Sequence, residues 1–125
     1  MNKTLRLITA AAALGIAIAA SAKADGDAEM GKKLFARCNA CHATGEQNRV
    51  GPGLANIVGR QAASATGYTY SVAMKNSRLT WDEATLDQFL KFPQAIVKGT
   101  RMNLALPKDS DRADVIAYLK TLATK

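Results

Sequence analysis

The stretch that decides the fold is Cys38-Asn39-Ala40-Cys41-His42. Two thiols three residues apart, about one helical turn, face the same side of the chain. Each can bond one vinyl group of a haem while the next residue swings its imidazole toward the iron, which is the C-x-x-C-H pattern of covalent haem attachment. Two other readings compete. A thioredoxin-like redox pair wants a βαβ context, and no alternating strand pattern of useful length occurs in this sequence. Half of a zinc site wants further Cys or His, but the chain has no other of either, so carboxylates would have to complete the ligand set.

Because His42 is the only histidine, a second histidine ligand to the iron is excluded. The sixth position is then Met, a weaker ligand or open, and Met is the natural choice. Within residues 25–125 the candidates are Met30, Met74 and Met102. Met30 is expected on the inner stripe of the first helix in a core role, and Met74 in a short helical turn. Met102 follows Gly99-Thr100-Arg101 in a loop beyond a helix end at Pro93, which lets a thioether be placed opposite His42, and it is favoured.

Working outward, the periodicity predicts an all-α class with three main helices. The first runs from about Asp27 to Cys38, capped by Asp25 or Asp27, with Met30, Leu34 and Phe35 facing inward. Gly31 in its middle costs about 1 kcal/mol against alanine, so another backbone is expected to approach there. From Ala43 to Leu79 the chain reads as loop, with a helical turn near Tyr70 to Asn76; a loop this long in a small domain points to a wrapped ligand. The second helix opens at Thr80 with the capping box Thr80-Trp81-Asp82-Glu83 and continues through Leu86, Phe89 and Leu90 until Pro93. The last follows Lys108-Asp109-Ser110-Asp111 with the stripe Val115, Ile116, Leu119, Leu122, and Lys120 and Lys125 at its C-terminal end suit the helix dipole.

The opening segment is excluded from the fold. Lys3 and Arg6 precede an apolar run from Leu7 to about Ala20, and Ala22-Lys23-Ala24 supplies small residues for cleavage, so 1–24 reads as a secretory signal peptide and 25–125 as one domain. An uncleaved membrane anchor is the lesser alternative, the run being short of the ~20 residues that span a bilayer. Removing the leader's three basic residues lowers the formal charge from +7 to +4. Export and the interspersed acids argue against nucleic acid; brief docking to acidic protein surfaces suits this balance better. With only three Phe, three Tyr and one Trp, the domain is thin in large apolar side chains, and a bulky cofactor at its centre would supply the missing core.

These residues resemble the class I cytochrome c family, particularly its short bacterial, mitochondrial-like members, over nearly all of 25–125. The resemblance is carried by Gly31 and Phe35, the C-x-x-C-H stretch, Gly51-Pro52-Gly53-Leu54, Gly59-Arg60, Tyr68-Thr69-Tyr70, Asn76, Trp81 and Gly99-Thr100-Arg101-Met102. It implies the cytochrome c fold, helices and long loops wrapped around one haem c tethered by Cys38 and Cys41, with His42 and Met102 as axial ligands. It further implies that Pro52 accepts the His42 ring N–H, that Arg60, Tyr70, Trp81 and Thr100 attend the haem propionates, and that Gly31 lets the first helix cross the last near Val115 and Tyr118. Plain core packing is the alternative for Tyr68, Tyr70 and Trp81. Three positions depart from the family pattern: Phe89 where many members have a tyrosine touching the ligand Met, Lys98 for a proline, and Leu104 for a phenylalanine.

The function so implied is a soluble periplasmic monohaem carrier, not an enzyme, a monomer with no stable membrane insertion. It takes single electrons from a membrane reductase (a bc1-type complex or a dehydrogenase) and passes them to a terminal oxidase, a reductase or a photosynthetic reaction centre. Partners would dock transiently at the haem edge, with Arg37, Arg49, Lys98, Arg101 and Lys108 as candidate rim cations or simply solvated surface. Competing classes are an enzyme or sensor with an open sixth position, a thiol-disulfide oxidoreductase, and an acceptor dedicated to one dehydrogenase.

Overall fold

The structure is a computed structural model that describes residues 25–124; residues 1–24, read above as a signal peptide, and Lys125 lie outside the described residues. Five helices follow in order: α1 Ala28–Leu34, α2 Val72–Ser77, α3 Glu83–Lys91, α4 Pro93–Ile96 and α5 Asp109–Lys120. Among the described residues there is no strand, only one isolated antiparallel bridge between Gln61 and Thr80. The all-α expectation holds.

Asp27 starts α1, its carboxylate accepting the N–H groups of Glu29 at 2.8 Å and Met30 at 3.2 Å. The helix tightens into a 3-10 turn over Phe35–Arg37, so the α-helix itself stops short of Cys38. Gly31 is buried against α5: a Cβ there would stand 1.9 Å from the carbonyl oxygen of Asp114 and 2.9 Å from Cβ of Tyr118, so only hydrogen permits this crossing. Phe35 completes the contact, its ring 5.2 Å from that of Tyr118. Met30 does not face inward as expected; it is 45% exposed.

Thr80 does not cap α3. The segment from Leu79 to Trp81 is held extended by backbone bonds to the 59–62 loop, among them Trp81 N–H to Arg60 and Gly59 N–H to Trp81, both 2.8 Å. The helix therefore begins two residues later, with the Asp82 carboxylate accepting the Thr85 N–H at 2.7 Å. Pro93 ends α3 as expected, and it also opens α4, because a first-turn position needs no N–H donor. In α5 the Lys108 side chain makes no capping hydrogen bond; Asp109 and Asp111 in the first turn complement the dipole instead. Val115, Ile116 and Leu119 are buried, whereas Leu122 falls past the helix end and packs from the edge.

Leu86, Phe89 and Leu90 of α3 face the apolar stripe of α5, and Trp81 lies against Phe89 with ring centroids 4.8 Å apart. Arg112 of α5 is buried at 2% exposure among these apolar groups. Its Nε donates to Asp87 of α3 at 2.9 Å, and Nη1 donates to the carbonyls of Leu106 and Pro107 at 2.9 and 2.8 Å. Nη2 pairs with Asp109.

Candidate functional site

The same apolar side chains that form the core also line a cavity of about 560 Å³, so the core is a cup rather than a solid. That volume lies within the range of roughly 300–1,000 Å³ typical of cofactor pockets. Cys38, Cys41, His42, Pro52, Arg60, Tyr70, Trp81, Thr100 and Met102 all line it, which brings every site residue expected from the sequence to one place.

The motif continues the 3-10 turn: Cys38 N–H bonds to Phe35, and the N–H groups of Cys41 and His42 return to Cys38 at 3.0 and 2.9 Å. This winding puts both sulfurs on the cavity. The two thiols are not joined to each other. Burial pushes the Cys38 thiol above its ordinary value, Arg37 opposes this and Cys41 adds to it. A raised thiol is a poor start for thiol-disulfide exchange, which needs thiolate. Nor does any group of three or more His, Cys, Asp or Glu side chains converge on a metal position among the described residues, as a zinc site would require.

His42 Nδ1 lies 2.8 Å from the Pro52 carbonyl oxygen. A carbonyl only accepts, so Nδ1 carries the proton and Nε2 keeps a bare lone pair for a metal. The loop that delivers Pro52 is tied back by Gly51 N–H to Cys41 at 2.8 Å and Leu54 N–H to Ala43 at 3.0 Å. Gly51 has to be glycine, because a Cβ would stand 2.5 Å from Cε1 of His42.

Of the three candidate methionines, Met74 and Met102 line the cavity and Met30 does not. Met74 stands in the short helix α2, as expected, and is buried in the core, while Met102 is half-buried in an irregular loop. Gln94 of α4 organises that loop, a role no local signal in the sequence announces. Its Nε2 donates to the Thr100 carbonyl at 2.7 Å and to Asn103 Oδ1 at 3.2 Å, and its Oε1 accepts the Gly99 N–H at 3.2 Å. Gly99 has φ +98°, a conformation that favours glycine.

The expected propionate residues are partly committed to the protein. Arg60 donates Nη1 to Ala55 at 2.8 Å and Nη2 to Gly53 at 3.0 Å, but its Nε is buried with no partner. A buried N–H without an acceptor costs about 1–3 kcal/mol, and Arg60 is among the residues that line the cavity, so a carboxylate there is a fitting partner. The Tyr70 hydroxyl accepts the Ala65 N–H at 3.1 Å and the Thr100 hydroxyl accepts the Met102 N–H at 3.3 Å. Each keeps its own proton to donate. Trp81 is buried on Phe89, as its packing alternative also expected. Thiols, imidazole, apolar walls and an orphaned cationic N–H together fit a haem.

Comparisons with known proteins agree with this geometry. A family model for cytochrome c matches residues 28–123. The chain is 51% identical to cytochrome c2 of Rhodomicrobium vannielii over 105 residues, covering 82% of this chain and 84% of that one. It is 45% identical to cytochrome c-554 of Methylosinus trichosporium over 121 residues, 94% of this chain and 92% of the relative. The structure of cytochrome cH from Methylobacterium extorquens superposes with a TM-score of 0.74 at 48% identity, covering 77% of this chain and 99% of that one. The chain belongs to the cytochrome c family, as an electron-transfer protein rather than an enzyme, holding one haem c through thioether bonds from Cys38 and Cys41.

Proposed function

We propose that the protein is a periplasmic one-electron carrier with His42 and Met102 as the axial ligands. A membrane reductase, either a bc1-type complex or a dehydrogenase, loads it; a terminal oxidase, a reductase or a photosynthetic reaction centre unloads it. The observation that carries this reading is the convergence of His42, Met102 and both thiols on one apolar cavity. A haem bound there supplies reversible exchange of one electron between ferrous and ferric iron. The Pro52 carbonyl keeps the His42 proton on Nδ1 and so leaves Nε2 as a ligand in both oxidation states. Gln94 and Thr100 hold the Met102 loop in place, so neither ligand has to be rebuilt at each transfer. The apolar walls disfavour the extra positive charge of the ferric state, which with Met/His ligation raises the potential.

Arg60 offers its buried Nε to a propionate, with Tyr70, Thr100 and the Trp81 indole as further donors. Arg37 and Arg101 line the cavity mouth and are exposed, which suits a cationic docking rim. Arg49 and Lys98 are exposed but not part of the lining, and Lys108 is engaged with Asp111 at 3.3 Å. The relatives named cytochrome c2 and c-554 support a bacterial carrier of this kind. The signal peptide 1–24 would take the chain to the periplasm, where an intact mass starting at Asp25 plus one haem is expected.

The deciding experiment is the near-infrared absorption band of sulfur-ligated ferric iron. The wild type should show it and Met102→Ala should lose it. Its absence from the wild type would favour an open sixth position, and with it an enzyme or sensor.

A further inference from the structure

Residues 65–70 form a short strap beside the cavity, and its two ends of influence reach opposite ligand loops. Toward His42, Tyr68 donates its hydroxyl to the Val50 carbonyl at 2.8 Å. Asn48, in the same loop as Val50, donates Nδ2 to the Thr66 carbonyl at 2.8 Å while its Oδ1 accepts the Gly53 N–H at 3.1 Å. These anchors bracket Pro52, whose carbonyl holds the His42 ring. Toward Met102, Arg101 donates Nη1 to the Thr69 carbonyl at 2.8 Å, and Arg101 is the residue just before Met102. The strap is braced internally: the Tyr68 and Tyr70 rings meet edge-on at 4.7 Å, and the Tyr70 hydroxyl accepts the Ala65 N–H. Val50, Tyr68 and Arg101 all line the cavity.

We propose that Tyr68 and Arg101 are positioning residues: through the strap they tie the His42 loop to the Met102 loop and so govern how readily Met102 leaves the iron. The proposal rests on the axial ligation put forward above. Tyr68 and Thr69 are neighbours, so the two ties act in series. Cutting the Arg101 tie disconnects the Met102 loop from whatever Tyr68 holds. The bonds are exposed, each is worth little to global stability, and their effect falls on local opening of the loop.

The test uses haem-loaded ferric protein with imidazole as the competing ligand, and follows the rate at which the near-infrared sulfur band disappears. Arg101→Met should speed displacement about fivefold, the scale of one lost hydrogen bond. Arg101→Lys can still donate to the Thr69 carbonyl and should stay within about twofold of the wild type. Tyr68→Phe should speed it about threefold by the same loss, and add nothing further in the Arg101→Met background. Amide hydrogen exchange should rise at Met102 and Asn103 in Arg101→Met while α5 protection is unchanged, which a general loss of stability would not produce. Displacement rates equal to the wild type in both single variants would overturn the strap, and so would a Tyr68→Phe acceleration that persists undiminished beside Arg101→Met. A wild type without the band overturns the ligation itself; a wild type with the band and indifferent variants overturns the strap alone.

Discussion

The most exacting prediction concerns Arg112. Its side chain is 3% exposed and is shared between α3, α5 and the segment that follows the Met102 loop. Its contributions are unequal. The Asp109 carboxyl is 81% exposed, so that pair is solvated and worth at most about 1 kcal/mol. The Asp87 carboxyl is only 19% exposed, and the Leu106 carbonyl belongs to a buried residue, so these bonds are made where water cannot replace them. Arg112→Leu keeps much of the apolar stem, removes the cation from Asp87 and takes the donor from two carbonyls. Breaking a buried pair of this kind costs about 3–5 kcal/mol. Equilibrium denaturant unfolding of the haem-loaded protein, followed by far-ultraviolet circular dichroism, should show that loss for Arg112→Leu. Asp109→Ala should lose at most about 1 kcal/mol. If Arg112→Leu came within about 1 kcal/mol of the wild type at an unchanged denaturant slope, the idea that Arg112 locks α3 to α5 would be wrong.

Gly51→Ala should shift the reduction potential and lower the yield of haem-loaded protein, because its Cβ would stand 2.7 Å from Nδ1 of His42; Gly45→Ala, with nothing within 4 Å, is the matched control, and equal behaviour of the two would remove the steric reasoning. The Thr85 backbone N–H holds the Asp82 carboxyl below the usual carboxylate range. A depressed folded value means stability that is present above the ordinary aspartate range and is lost as pH falls through the folded value. Asp82→Asn should therefore flatten the acid limb of a stability-against-pH curve, and an unchanged slope would refute the cap's share. Association with an acidic redox partner should slow steeply as ionic strength rises to ~0.15 M, where the Debye length is about 8 Å. Replacing Arg37 and Arg101 by Gln should reduce that slope, and stopped-flow rates indifferent to salt would dismiss the cationic rim.

What could be read from the sequence, and what could not, divides by how far apart the interacting residues stand in the chain. The winding that places Cys38, Cys41 and His42 together is local, closed by bonds spanning four residues at most, so spacing alone foretold it. The apolar stripes of α3 and α5 were legible for the same reason. The start of α3 was misread because the competing force is not local: Thr80 and Trp81 pair with Gln61 and Arg60, and that extended pairing outranks a good capping box. Met30 was misplaced because a seven-residue helix turns only its Gly31 face toward α5, leaving the neighbouring position outside. Gln94, Asn48 and Arg112 carry no motif at all; each acts by donating to carbonyls of another segment, and any residue type can supply a carbonyl, so the partner leaves no mark in the sequence. Arg60 shows both halves of the division in one side chain. The resemblance named its destination, but only the structure shows two of its nitrogens bonded to Ala55 and Gly53, with the buried Nε as the nitrogen that has no protein partner. The ligands of such a site are written locally, therefore, while the ties that hold those ligands in place are written only in the fold.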